Sequence, residues 1–328
     1  MGDLIWLEDS GEFDAFDQHS SITLSRYASC DPEITAAVLV EQARCMFYRN
    51  CLARAKSLAR EALEVSTRTA FPGMFVARAC LVISAIYRRR GKLGKAKTFL
   101  EKAEQNLTNT NYFEDWSRFY DAYGSYLNSF IDTVSNPSSE LYKNANESFH
   151  KQLQAANRDS RERVREKNRL FALLKRARTL LDANTLFGQQ REVPARDIHV
   201  AAECLDEIEN ELCDSDCVDS VPRGTRLQFL LVRCKQYYRE KRYEDMLPLL
   251  EKCTKMAKSN GDERILALIL KGVQQVKVLG KIQEEMSTTD PESEGSGEKD
   301  SFQFSSEKES DDTTDSIDIF GSELGDSS

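Results

Sequence analysis

Along most of this chain the apolar positions recur at helical rather than strand spacing. Between Ala77 and Arg90, Ala79, Cys80, Leu81, Val82, Ile83, Ala85 and Ile86 are all apolar. That stripe is too wide for a helix resting on one surface, and it predicts a helix buried between neighbours. Gly91 follows three arginines. This predicts a C-cap that tolerates positive φ, with cations at the negative end of the helix dipole. Leu93 to Leu107 then places Ala96, Leu100, Ala103 and Leu107 on one stripe, with Lys95, Lys97 and Lys102 outside it. The two segments read as an antiparallel hairpin, its helices able to approach closely at Ala96 and Ala103.

The same pattern returns at lower contrast on both sides. Leu39, Ala43, Met46, Ala55, Ala59 and Ala62 take matching positions within residues 36–69, with Asn50 at the turn. Leu230, Cys234, Tyr237, Lys241, Met246, Leu250 and Cys253 do so within residues 227–260. Between them, Trp116, Phe119, Tyr120, Tyr123 and Leu127 predict an inner helix, and Leu141, Ala145, Phe149 and Leu153 an outer one. A charged helix over 158–183 precedes another over 198–212, and a closing helix spans 262–285. No period-two alternation competes with these assignments.

At Ile83, Ser84, Tyr87, Gly91, Ala96, Leu100 and Ala103 the best-kept hairpin resembles a tetratricopeptide (TPR) repeat. That family's pattern, W-x2-L-G-x2-Y followed by a turn and A-x3-F, recurs about every 34 residues. Cys80 stands at the Trp position and Thr108 near the terminal Pro, and the first two matched segments are offset by 41 residues. The resemblance covers about residues 30–285. It implies an all-α fold, a right-handed α-solenoid of TPR-like antiparallel helix pairs over 22–286, because a single hairpin cannot bury its own apolar face. An irregular helical bundle is the plainer alternative.

In such repeats the inner helices line a concave groove that holds peptides. Carried over position by position, the resemblance implies a groove of Val40, Arg44, Phe47 and Tyr48, then Arg78, Leu81, Arg88 and Arg89, then Leu231, Lys235, Tyr238 and Arg239. Arginine and aromatic side chains together suit an acidic peptide with apolar anchors. Val40 and Arg44 stand where the chaperone-binding subclass has the first Lys and Asn of its carboxylate clamp, so that activity is not carried over.

Charge changes the picture further. The chain of 328 residues has a formal charge of −9, yet residues 1–17 hold six acids and no base, and residues 287–328 hold thirteen acids and two bases. Setting these aside leaves 43 of the 45 basic and 35 of the 54 acidic residues, a body with eight surplus positive charges. Residues 1–21 read as an acidic flexible segment, and 287–328, rich in Ser, Thr, Asp and Glu, as a disordered acidic tail with apolar islands at Phe302, Phe304, Ile317, Ile319 and Phe320. Such a tail could dock on partners, cover the basic groove or only aid solubility.

Candidate chemistry is sparse. Cys213 and Cys217 form a pair without the second pair that a structural zinc site needs, and His19, His150 and His199 have no ligand spacing. Gly91, Gly94 and Lys95 follow a helix at the wrong spacing for a phosphate loop. No nucleophile elbow or dinucleotide fingerprint occurs. The expectation is a non-enzymatic scaffold or adaptor without cofactor or metal, binding protein partners. The nine cysteines, the lack of a signal sequence and the lack of an apolar run long enough for a membrane suggest the cytoplasm or nucleus. The alternative function is nucleic-acid binding by the basic helix through Arg161, Arg165, Arg169, Lys175 and Arg176. Acids interrupt that run and no stacking platform accompanies it, so a solvated helix face is the simpler account.

Overall fold

The computed structural model describes Leu4, Leu7 and residues 12–108, 112–183, 191–214, 223–259 and 263–288. Through these residues run twelve helices and no strand. They are α1 (Phe13–Tyr27), α2 (Pro32–Tyr48), α3 (Leu52–Ser66), α4 (Pro72–Arg89), α5 (Leu93–Leu107), α6 (Phe113–Thr133), α7 (Ser139–Ala156), α8 (Glu162–Leu180), α9 (Ala195–Asp214), α10 (Arg223–Arg239), α11 (Tyr243–Ser259) and α12 (Glu263–Thr288). The expected hairpin is α4 and α5. Its first helix begins at Pro72 rather than Ala77, because proline at the first helical position supplies the required φ and lacks an N–H that would go unpaired there.

Each helix packs on its neighbours in the chain. In addition, α2, α4, α6, α8 and α10 pack on one another in succession, whereas α3, α5, α7, α9 and α11 touch only their chain neighbours among the described residues. The helices therefore form two rows, an inner one continuous from α2 to α10 and an outer one of separate struts. One apolar core runs through α2 to α7 and another through α8 to α12. The acidic segment expected to be flexible through residue 21 is helical from Phe13, because Phe16, fully buried, joins Leu4 and Leu7 against Val38 and Cys45 of α2. Of the tail read over 287–328, residues 287 and 288 end α12 and residues 289–328 lie outside the described residues.

Close approach within the pairs has identifiable causes. Ser84 takes a position where the family pattern has glycine, and its hydroxyl donates to the Ala96 carbonyl at 2.9 Å, so the extra atoms join the two helices. At Gly124 of α6 a Cβ would stand 2.7 Å from two ring carbons of Phe149 on α7, so only glycine fits without displacing a fully buried ring.

Four inner helices end alike. Asn50, Gly91, Asp182 and Lys241 follow α2, α4, α8 and α10 with φ of 58°, 67°, 54° and 58°. In each, this residue's N–H bonds back three residues and the next N–H bonds back five, as in Cys51 to Met46 and Lys92 to Tyr87. That is the Schellman motif, which satisfies the last carbonyls of a helix. The recurrence at Asp182 marks α8 as a member of the same series, although its sequence reads mainly as a charged helix.

Candidate functional site on the inner-helix face

Three inner helices present their N-terminal turns side by side. Ile34, Ala37 and Glu41 share one stripe of α2; Met74, Phe75 and Arg78 lie on α4; and Glu114 and Arg118 lie one turn apart on α6. With Glu33 and with Arg161, which caps α8, they line a depression of about 280 Å³. No outer helix contributes to it. Its floor is apolar and its walls are charged.

The wall charges belong to a continuous ladder of alternating sign, which Arg44 and Asp159 extend beyond the depression. Arg44 Nη2 lies 2.7 Å from Glu41 Oε2, Arg118 bridges Glu41 at 3.4 Å and Glu114 at 2.6 Å, and Arg161 joins Glu114 at 2.5 Å to Asp159 at 2.9 Å. Arg78 grips Asp115 beside it, Nε donating to Oδ1 at 2.6 Å and Nη2 to Oδ2 at 3.1 Å. Burial works to raise the Glu114 carboxyl, but Arg118, Arg161 and Arg78 outweigh it and hold the group at about 2. Glu41 is likewise held below the ordinary carboxylate range, burial being outweighed by Arg44, Arg118 and Arg78. Both acids are therefore ionised near neutral pH. They fix the arginines in place.

Large apolar side chains stand exposed at the same ends of these helices. Phe71 caps α4 and is 59% exposed, Tyr112 caps α6, and Phe113 opens α6 with the Arg158 guanidinium 5.6 Å from its ring centroid. Tyr112 is 47% and Phe113 38% exposed, which makes this the aromatic end of the inner row.

Of the residues expected to line a groove, only Arg78 lines this depression. Val40, Phe47, Leu81 and Leu231 are buried between helices. Tyr48 packs edge-on against Phe47. Arg44 pairs with Glu41, Arg88 donates to Ser129, and Arg89 lies over the Phe47 ring and donates to the Phe47 carbonyl. Lys235 is fully buried, 5.5 Å from the centroid of the Tyr238 ring; burial and then Arg239 bring its ammonium down to about 7, with Asp182 opposing. Arg239 pairs with Asp182 at 3.3 Å. The depression and the expected groove residues differ in position for a physical reason. Because α2 and α4 begin at Pro32 and Pro72, the lining of the depression starts in turns ahead of the matched segments, at Glu33, Ile34, Met74 and Phe75. The prolines themselves were the signal that could have found it. The structural positions Tyr87, Gly91, Ala96, Leu100 and Ala103 do lie in the hairpin's turn and interface.

The basic helix is an inner helix, and the five cations expected to bind phosphates each have a partner within the chain. Arg161 pairs with Glu114 and Asp159, Arg165 donates to the Asp159 carbonyl, Arg169 bonds to Glu207 and Glu211 of α9, Lys175 pairs with Asp121, and Arg176 donates to Asn146. Arg158 and Arg163 of the same run are exposed and have no carboxylate partner among the described residues.

Neither a protein-family model nor a curated protein matches the chain. Among the described residues no three His, Cys, Asp or Glu side chains are grouped to hold a metal ion, and Cys217 of the Cys213 and Cys217 pair lies outside them. Burial pushes the Cys80 and Cys204 thiols up to about 11, so they are protonated near neutral pH. No described helix is long and apolar enough to cross a membrane.

Proposed function

We propose that the chain is a non-enzymatic scaffold of tetratricopeptide type, a right-handed solenoid that holds a peptide segment of a protein partner on its inner-helix face. The observation that carries this reading is the depression built by three successive inner helices and no outer one. Stacked repeats generate extended surfaces of this kind. At about 280 Å³ the space is near the lower limit of roughly 300 Å³ for small-molecule sites, and it suits an anchoring side chain of a longer ligand. Ile34, Met74 and Phe75 would take an apolar anchor, and Phe71, Tyr112 and Phe113 would supply the contacts that usually dominate affinity.

The charges around the depression support a different ligand from an acidic peptide. Arg78, Arg118 and Arg161 are matched by Glu33, Glu41 and Glu114 around the depression, so its walls have no surplus of cations to favour an acidic peptide. The segment it accepts carries an apolar anchor flanked by both signs, with the charges setting register more than strength. Affinity capture with the full chain and with Met74→Glu tests this. Proteins retained by the first and lost by the second are the expected outcome; identical retention would remove the inner face from consideration.

A further inference from the structure

A group of cations without a carboxylate partner among the described residues lies on α3 and α5, away from the depression. Residues 49–100 hold twelve Arg or Lys and two Asp or Glu. Three of these cations converge on one tyrosine. Lys56 of α3 donates from Nζ to the Tyr87 hydroxyl at 2.9 Å and sits 4.6 Å from the ring centroid, while Lys95 of α5 approaches the same ring to 5.7 Å. Arg60 joins them: the hydrogen bond from Lys56 and the fields of Lys56, Lys95 and Arg60 hold the Tyr87 hydroxyl below its ordinary value. Tyr87 stacks on Phe99 at 5.6 Å. Because α3 and α5 do not pack on each other, Tyr87 is the floor of a seam between them.

Nothing described neutralises this seam. Arg54, Arg60, Arg90, Lys92 and Lys95 are exposed, and among the described residues no carboxylate pairs with them or with Lys56. Neither α3 nor α5 has an acid in its first turn. Like charges gathered about one ring repel, and a polyanion laid across them removes that cost.

We propose that this cationic seam holds the acidic C-terminal segment of the same chain, residues 289–328. Those residues contain thirteen acids and two bases, the strongest negative charge in the sequence, with Phe302, Phe304, Ile317 and Phe320 available to lie against Tyr87 and Phe99. Reach is ample. The described chain ends on α12 at Thr288, and the following stretch spans up to roughly 130 Å when extended. The inner row from α10 back to α4 is three helix spacings, on the order of 30 Å. Covalent attachment raises the local concentration to about the millimolar range for short linkers, so individually weak surface pairs suffice. The proposal does not rest on the peptide-binding reading of the inner face.

Carbodiimide coupling of the full chain, which joins lysines to carboxylates in direct contact, tests it by mass spectrometry of the monomer fraction. Amide links from residues 290–326 to Lys56, Lys92 and Lys95 should exceed those to the exposed Lys143 and Lys151 of α7 several-fold. They should fall several-fold at about 0.5 M salt, and likewise in Arg60→Glu, whose site is exposed and tolerant of change. Tail links spread evenly over the exposed lysines would overturn the proposal. So would links found only in coupled dimers, which would assign the seam to the tail of a second copy. Retention on heparin or RNA that Arg60→Glu abolishes, without tail links, would assign it to an external polyanion and equally overturn it.

Discussion

Arg78 and Asp115 are joined by two parallel hydrogen bonds that tie α4 to α6, with the Asp115 carboxylate fully buried. Such a pair fixes geometry more than it adds stability, because removing two charges from water offsets most of their attraction. Its value lies in register, since it sets the spacing of the two inner helices whose first turns line the depression.

Removing one partner alone should therefore be costly. Arg78→Met leaves a buried carboxylate without its cation, and urea unfolding should show a loss of about 3 kcal/mol. The double variant Arg78→Met with Asp115→Leu should recover much of it. A single variant within about 0.5 kcal/mol of wild type would show that the pair is dispensable.

Glu114 makes the ladder sensitive to acid. Its folded value, about 2, lies below its ordinary 4.5, so its contribution to stability is complete above about 4.5 and is lost as pH falls toward 2. The shift corresponds to roughly 3 kcal/mol. Glu114→Gln lacks this contribution at every pH. The stability difference between the two proteins should be largest above pH 4.5 and shrink below it, and a difference independent of pH between 6 and 2.5 would contradict the assignment.

The four left-handed turns give opposite expectations for two exposed positions. Lys241 holds φ of 58° with a side chain that gains nothing from the strain, so Lys241→Gly should raise stability by about 1 kcal/mol. Gly91→Ala should lower it by about the same amount, although an added Cβ there meets no atom within 4 Å. Thermal unfolding of both variants checks the pair. Equal effects of the same sign would mean that backbone conformation does not decide these sites.

The hairpin of α4 and α5 was legible in the sequence because each of its devices has a dedicated residue type: Gly91 at the left-handed turn, Ala96 and Ala103 where helices meet, and an apolar run where the inner helix is buried. The inner position of α8 was not. Asp182 takes the place of glycine in its turn, and Arg161, Arg169 and Lys175, which read as a solvated or phosphate-binding face, reach instead to acids on α6, α9 and the chain just before α8. Counting charge along the chain found the surplus of cations but could not place it, because pairing depends on which helices become neighbours. Thus Arg44, Arg78 and Arg239, expected to face a ligand, are paired with Glu41, Asp115 and Asp182. Lys56, Lys95 and Arg60, which pair with no carboxylate among the described residues, gather instead about Tyr87.

The most direct test of the scaffold reading is the dissociation constant of a captured partner segment for the full chain, for Met74→Glu and for Arg60→Glu. The account predicts that Met74→Glu weakens binding by about tenfold or more, equivalent to roughly 1.4 kcal/mol, while Arg60→Glu, away from the depression, leaves it at or above wild-type strength. Unchanged binding by Met74→Glu, with its helical content intact, would contradict the claim that the inner-helix face is where partners are held.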